Sequence, residues 1–117
     1  MRAAVITRPG GPEVLEVRDV PRPRPREGEV LVRVHASALN RADIMQRQGR
    51  YPAPPGASAD IPGMEIAGEI TELGAGTGRW KVGDRVFGIV GGGGNAEFCV
   101  TREGERMQVL VGGSWQL

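Results

Sequence analysis

Glycine and proline cut this chain into short runs, and that punctuation limits it to short elements. "AAVIT" (3–7) is stopped by "RPGGP", "PRPRPREGE" (21–29) breaks all regular structure, and "RYPAPPGASADIPG" (50–63) reads as a long loop. Between such stops, "EVLEVRDV" (13–20) alternates apolar and charged residues with the period of a half-buried strand. "VLVRVHASAL" (30–39) carries the strongest strand signal, with Val30, Val32 and Val34 on one face and Leu31, Arg33 and His35 on the other. "MEIAGEITELG" (64–74), "GDRVFGIV" (83–90), "AEFCV" (96–100) and "RMQVLV" (106–111) read as further strands. Only "NRADIMQRQG" (40–49) changes period. Asn40 suits an N-cap, Asp43 the acid of a capping box and Gly49 a C′ position, so one short helix is expected there. Short strands, Gly-rich turns and a single helix indicate a mainly β domain of barrel or sandwich type.

At 117 residues the chain has the length of one domain. Its net charge of +1 gives no field that would gather nucleic acid or an anionic membrane surface. Cys99 is the only cysteine, which excludes an intrachain disulfide and makes a reducing, cytoplasmic compartment the default. No run of apolar residues is long enough to span a bilayer, so no membrane partner is expected.

Three motifs have plain readings. "GAGTG" (74–78) follows a strand, but the third glycine of a dinucleotide fingerprint is replaced by Arg79, and a strand rather than a helix follows; a turn is expected. "GGGG" (91–94) lies between two expected strands and reads as a flexible hairpin loop. "PRPRPR" (21–26) is flanked by Asp19, Glu27 and Glu29 and reads as a solvated polyproline-like linker. With one cysteine and one histidine, His35, no structural zinc set can be assembled, and no metal ligand is assigned. His35 reads as a strand residue and Cys99 as a core thiol. What remains is the segment 39–65, where Asn40, Asp43, Tyr51 and Glu65 put polar groups beside apolar strands. Each also has a structural reading: Asn40 and Asp43 as helix caps, Tyr51 as a core cover with its hydroxyl in water.

Together, "GGPEVLEV", "EVLVRVHASALNRADIMQRQGRYPAPPGAS", "IPGMEIAGEI" and "KVGDRVFGIVGGGGNAEF" resemble the N-terminal domain of zinc-independent NADPH:quinone oxidoreductases of the medium-chain dehydrogenase/reductase superfamily. The resemblance covers residues 1–104 and implies a GroES-like, partly open β-barrel with one short helix. It implies NADPH as cofactor, a quinone or another small electrophile as substrate, and a homo-oligomer as a possible assembly. By the same resemblance Asn40 and Asp43 would line the cleft near the nicotinamide, and Tyr51 would border the quinone pocket. Zinc-dependent relatives carry a metal-binding cysteine near the position of Arg41 and a His-Glu pair where this chain has Met64 and Glu65. Glu65 therefore resembles the acid of a lost metal site on the floor of the active cleft, a structural hydrogen bond being the alternative. Residues 105–117 diverge from the family pattern, and no Rossmann cofactor domain follows them, so the expectation is an incomplete, truncated reductase. The competing expectation is a stand-alone GroES-like binding or oligomerisation module without catalytic activity.

Overall fold

The computed structural model describes residues 1–103 and 107–109. The order of elements is β1 (Arg2–Ile6), a 3-10 turn (Pro12–Val14), β2 (Leu15–Asp19), β3 (Glu29–Ala38), α1 (Arg41–Arg47), β4 (Glu65–Leu73), β5 (Arg85–Ile89), β6 (Phe98–Arg102) and β7 (Met107–Val109). The fold is mainly β with one short helix, as the punctuation requires. Strands β1 and β2 form a two-stranded sheet, and the other five form a second sheet in the order β6-β3-β4-β5-β7, every pairing antiparallel. Among the described residues an isolated antiparallel bridge, Ala3 to Ala96, links β1 to the segment that leads into β6.

β3, the longest strand described, is the spine, paired along its length with β4 and over its first half with β6. Its Val30, Leu31 and Val32 are all fully buried. Leu31 was expected to share the outer face with Arg33, yet it is as covered as its neighbours. Register shifts at Leu31/Val32 and at Val34/Ala36 interrupt the strict alternation, as β-bulges do. Val30 and Val32 join Ile66, Ile70, Trp80, Val86, Val90 and Cys99 in the main core. Burial of each large aliphatic side chain there contributes about 1.5–3 kcal/mol. A smaller cluster of Ala3, Val5 and Ile61 ties β1 to the loop before β4.

Three expectations need correction. Residues 13–20 are not one half-buried strand: Val14 is buried in the 3-10 turn, and every residue of β2 is exposed. The physical reason is that β2 pairs with β1 alone among the described residues, and no element closes over its apolar face. The glycines 91–94 are not a hairpin, because β5 and β6 are not neighbours in the sheet. They run beside residues 61–64 instead, with Gly93 donating to the Ile61 carbonyl (2.8 Å) and Gly94 to that of Gly63 (3.0 Å). The proline-rich linker is not wholly solvated, since the Arg22 guanidinium stacks 3.8 Å above the Phe98 ring. The turn at 74–78 forms as expected, with Gly28 donating to Ala75 (2.8 Å). Of the expected last strand, 106–111, Met107–Val109 is present and the rest lies outside the described residues, as does most of the divergent segment 105–117.

Gly68 shows how tightly β3 and β4 approach at the second bulge. A Cβ there would lie 2.2 Å from the Arg33 carbonyl oxygen and 2.6 Å from Val32 Cγ1. Neither can retreat, one being backbone and the other core. Gly68→Ala is therefore expected to lower the free energy of unfolding by about 3 kcal/mol or more. Gly78→Ala, where a Cβ meets nothing within 4 Å, should change it by less than about 0.5 kcal/mol. Urea denaturation of the two variants checks the contrast.

Candidate functional site

The candidate site is built where β3 hands the chain to α1. The last residues of β3 run out through Ala38 to Leu39, which is 85% exposed, and then to Asn40 at the N-cap. α1 starts here because Asn40 has extended backbone (φ −129°, ψ 159°) and Asp43 reaches back to it, its Oδ2 accepting the Asn40 N–H at 2.9 Å. The helix ends as expected, with Gly49 at φ 79°. The capping reading of Asp43 is thus correct, but it is half of what the residue does.

The other carboxylate oxygen, Oδ1, accepts the Gly63 N–H at 3.1 Å. Asp43 is 7% exposed and the one buried charged side chain among the described residues. Two backbone donors on one carboxylate repay much of the cost of burying it, hydrogen bonds to a charged group being worth about 1.5–3 kcal/mol each. The bond to Gly63 sets the Pro-Gly turn against the helix start. That turn is paired in turn with the glycine-rich segment: Asn95 donates to the Pro62 carbonyl (2.9 Å) and Val90 to that of Met64 (2.7 Å).

Gly63, at φ 114°, has no room for a side chain, since a Cβ would lie 2.5 Å from the Asn95 nitrogen and 2.8 Å from its Oδ1. That Oδ1 is covered and has no hydrogen-bond partner among the described residues. An orphaned acceptor of this kind costs about 1–3 kcal/mol. Below the glycine segment, Cys99 is buried, and burial pushes its thiol up to about 12. Its Sγ lies 3.6 Å from the Gly92 carbonyl oxygen, so it supports the loop as a neutral thiol.

Two grooves open on either side of the β3 end and share Ala36 and Ser37. The larger, about 640 Å³, is walled by Leu15, Val17, Val34, Leu39, Pro62 and Asn95. The smaller, about 340 Å³, is bounded by Ala38, Glu65, Ala67, Phe87 and Ile89. Both are lined chiefly by apolar side chains, with few polar groups at the seam between them.

The structure brings Asn40 and Asp43 together and places Gly63, two residues before Glu65, against them. Asn40 is half-buried; its backbone N–H is already committed to Asp43. Both Asp43 oxygens are likewise engaged, so the residue is a positioning group in this structure. Glu65 is exposed at the start of β4, on the wall of the smaller groove and flanked by Ala38 on β3 and Ile89 on β5. Tyr51 is half-buried in the loop after α1 and borders neither groove. Sequence reading missed Gly63 and Asn95. The signal for them was the pairing of a Pro-Gly turn with a glycine run ending in asparagine, each of which looked like an ordinary loop on its own. Among the described residues no group of three or more His, Cys, Asp or Glu is placed to hold a metal ion.

For a nicotinamide cofactor the fit is partial. The apolar walls suit a flat ring, and Asn95 puts one side-chain amide on the wall of the larger groove. The described residues contain no strand, glycine turn and long helix to cradle a pyrophosphate, the single helix being seven residues long.

Comparison with known proteins places this arrangement. Residues 26–116 match the alcohol dehydrogenase GroES-like domain. A quinone oxidoreductase of Rattus norvegicus is 40% identical over 105 residues, covering 88% of this chain and 32% of that protein. The structure of the quinone oxidoreductase from Coxiella burnetii superposes with a TM-score of 0.80 at 28% identity, covering 93% of this chain and 36% of that one. A mycobacterial protein solved in complex with NADPH superposes with a TM-score of 0.81 at 31% identity, over 95% of this chain and 34% of that one. The chain spans about a third of the length of the curated relatives it matches.

Removing the Asp43 carboxylate should loosen this whole corner. Asp43→Ala leaves two amide donors without their acceptor and is expected to cost about 2–5 kcal/mol, while Asp43→Asn, which keeps one acceptor, should cost roughly half as much. Chemical denaturation of both variants gives the ranking.

Proposed function

The chain belongs to the alcohol dehydrogenase GroES-like domain family, and from that premise we propose that it is the substrate-side domain of an NADPH-dependent quinone or enone oxidoreductase that transfers hydride without zinc. The observation that carries the reading is the pair of apolar grooves that share Ala36 and Ser37 at the end of β3, next to the helix start that Asp43 ties to Gly63. Sequence likeness to quinone oxidoreductases and structural likeness to an NADPH complex support the substrate class and the cofactor.

The chemistry asks little of the protein. A quinone is already electrophilic, and the charge that develops on its oxygens is spread over an aromatic ring, so a Lewis acid is not required as it is for an alcohol or aldehyde. NADPH, when bound, supplies the hydride, and the protein's part is positioning and a few hydrogen bonds. Leu39 and Pro62 offer apolar surface to the face of a flat ring. Asn95, on the wall of the same groove, offers its side-chain NH2 at the edge, and Asn40 stands next in the chain after Leu39. Asp43 holds the backbone beneath them, so that the ring meets preset groups and not a mobile loop. The pyrophosphate and adenosine would be bound by a partner domain of Rossmann type. Glu65 remains a candidate on the wall of the smaller groove, and Tyr51 a candidate in the loop after α1, outside both grooves. A free-standing binding module of this fold is the second reading, and it predicts no binding of a nicotinamide ring at the seam.

Backbone-amide NMR of the 117-residue chain separates the two. Reduced nicotinamide mononucleotide and 1,4-naphthoquinone, titrated separately to millimolar concentration, are expected to shift the amides of residues 39–42, 63–65 and 95 selectively. Scattered shifts, or none at these positions, would refute the site.

A further inference from the structure

Strand β2 is a sheet edge left unpaired among the described residues, with an unusual symmetry of charge. Its backbone orientation follows from the bonds at its two ends. Val20 and Met1 exchange two hydrogen bonds (2.8 and 2.7 Å), and Thr7 donates to Val14 (2.9 Å). Even-numbered positions therefore turn their N–H and C=O toward β1, and the alternation of an antiparallel ladder turns those of Leu15, Val17 and Asp19 away from it. No other strand pairs with β2 among the described residues. Of the usual edge protections it has short length and the charges of Glu16, Arg18 and Asp19, but no proline, lysine or bulge between Leu15 and Asp19. Its side chains divide cleanly. Val17, 65% exposed, and Leu15 face the larger groove, while Glu16 and Arg18 form an ion pair on the opposite face, with Arg18 Nε 2.8 Å from Glu16 Oε2.

We propose that β2 is a self-recognition edge, pairing antiparallel with β2 of a second copy of this chain about a two-fold axis through Val17. The charge pattern selects this register. Two copies can bond only through outward-facing positions, so the registers to consider place Val17 opposite Leu15, Val17 or Asp19 of the second copy. With Val17 opposite Leu15, Glu16 meets Glu16. With Val17 opposite Asp19, Arg18 meets Arg18. Only with Val17 opposite Val17 does each Glu16 meet an Arg18, twice over by symmetry. These are the non-hydrogen-bonded positions, where facing side chains are closest. The same register lets Val17 exchange bonds with Val17 and Leu15 with Asp19, giving about six main-chain hydrogen bonds. The product is a four-stranded sheet in the order β1-β2-β2-β1. On its groove side the two Val17 side chains meet, removing from water the most exposed apolar residue of β2. An interface that is isologous in this way needs one patch only, complementary to itself.

The test is sedimentation equilibrium of the 117-residue chain, carried into hundreds of micromolar, with circular dichroism as the control for folding. Wild type is expected to form a reversible dimer. Glu16→Arg and Arg18→Glu should each weaken self-association by at least about tenfold, because each puts like charges opposite one another. An equimolar mixture of the two variants should recover wild-type strength, since every Arg at 16 or 18 then faces a Glu. Val17→Pro should give a folded monomer, because the N–H it removes points away from β1. A wild type that stays monomeric, a dimer indifferent to Glu16→Arg, or a mixture no tighter than its components would overturn the proposal.

Discussion

The carboxylate of Asp43 joins the amide of Asn40, at the start of its own helix, to that of Gly63, 20 residues beyond Asp43 in sequence. Without that bridge the start of α1 and the Pro-Gly turn would be two independent loops, each free to move over the end of the main core. With it, the turn becomes a fixed rail, and the glycine segment 91–94 is laid along it by bonds from Gly93, Gly94 and Asn95. A buried charge is costly unless its lone pairs are used, and here both oxygens are. The glycines are the complementary condition. At Gly63 and Gly94 a Cβ would fall within 3 Å of the opposing segment, so the two could not come close enough to bond.

The consequence for function is a division of labour. Packing of β3 between β4 and β6 gives the rigid frame, and the two grooves lie at the exit of that frame rather than within it. Binding groups carried on the ends of buried strands are placed more precisely than groups on loops. The long loop 50–60 meets this arrangement through Pro54, Ala57 and Ser58, which lie against Gly91–Gly93, while its Tyr51 borders neither groove. Apolar surface left open at Leu39, Val17 and Phe87 fits a domain whose working faces are completed by other surfaces, whether a cofactor domain, a substrate or a second copy.

Much of this was legible in the residues. The helix could be placed from Asn40, Asp43 and Gly49 alone, because caps act within a few residues. Strands β3 and β4 followed from alternation, and the family from the block around 39–56. What could not be read was long-range. Nothing local to Asp43 says that its second oxygen will find Gly63, and nothing in four consecutive glycines distinguishes a hairpin from a segment packed against another backbone. The exposure of β2 was illegible for a related reason. Alternation shows that one face is apolar, but not whether any element of the fold covers it. Glu65 drew attention as an acid at the head of an apolar run, yet it is a strand-start residue standing in solvent, where a charge is inexpensive.

Hydrogen exchange at the Gly63 amide tests the central claim most directly, and it needs no altered protein. If Asp43 clamps the turn, this single amide should exchange with protection close to that of the Val30 and Val32 amides in the core of β3. Exchange at the rate of an open loop, with the neighbouring Asn40 amide equally unprotected, would contradict the account, because the bridge on which the site depends would then not be held in solution.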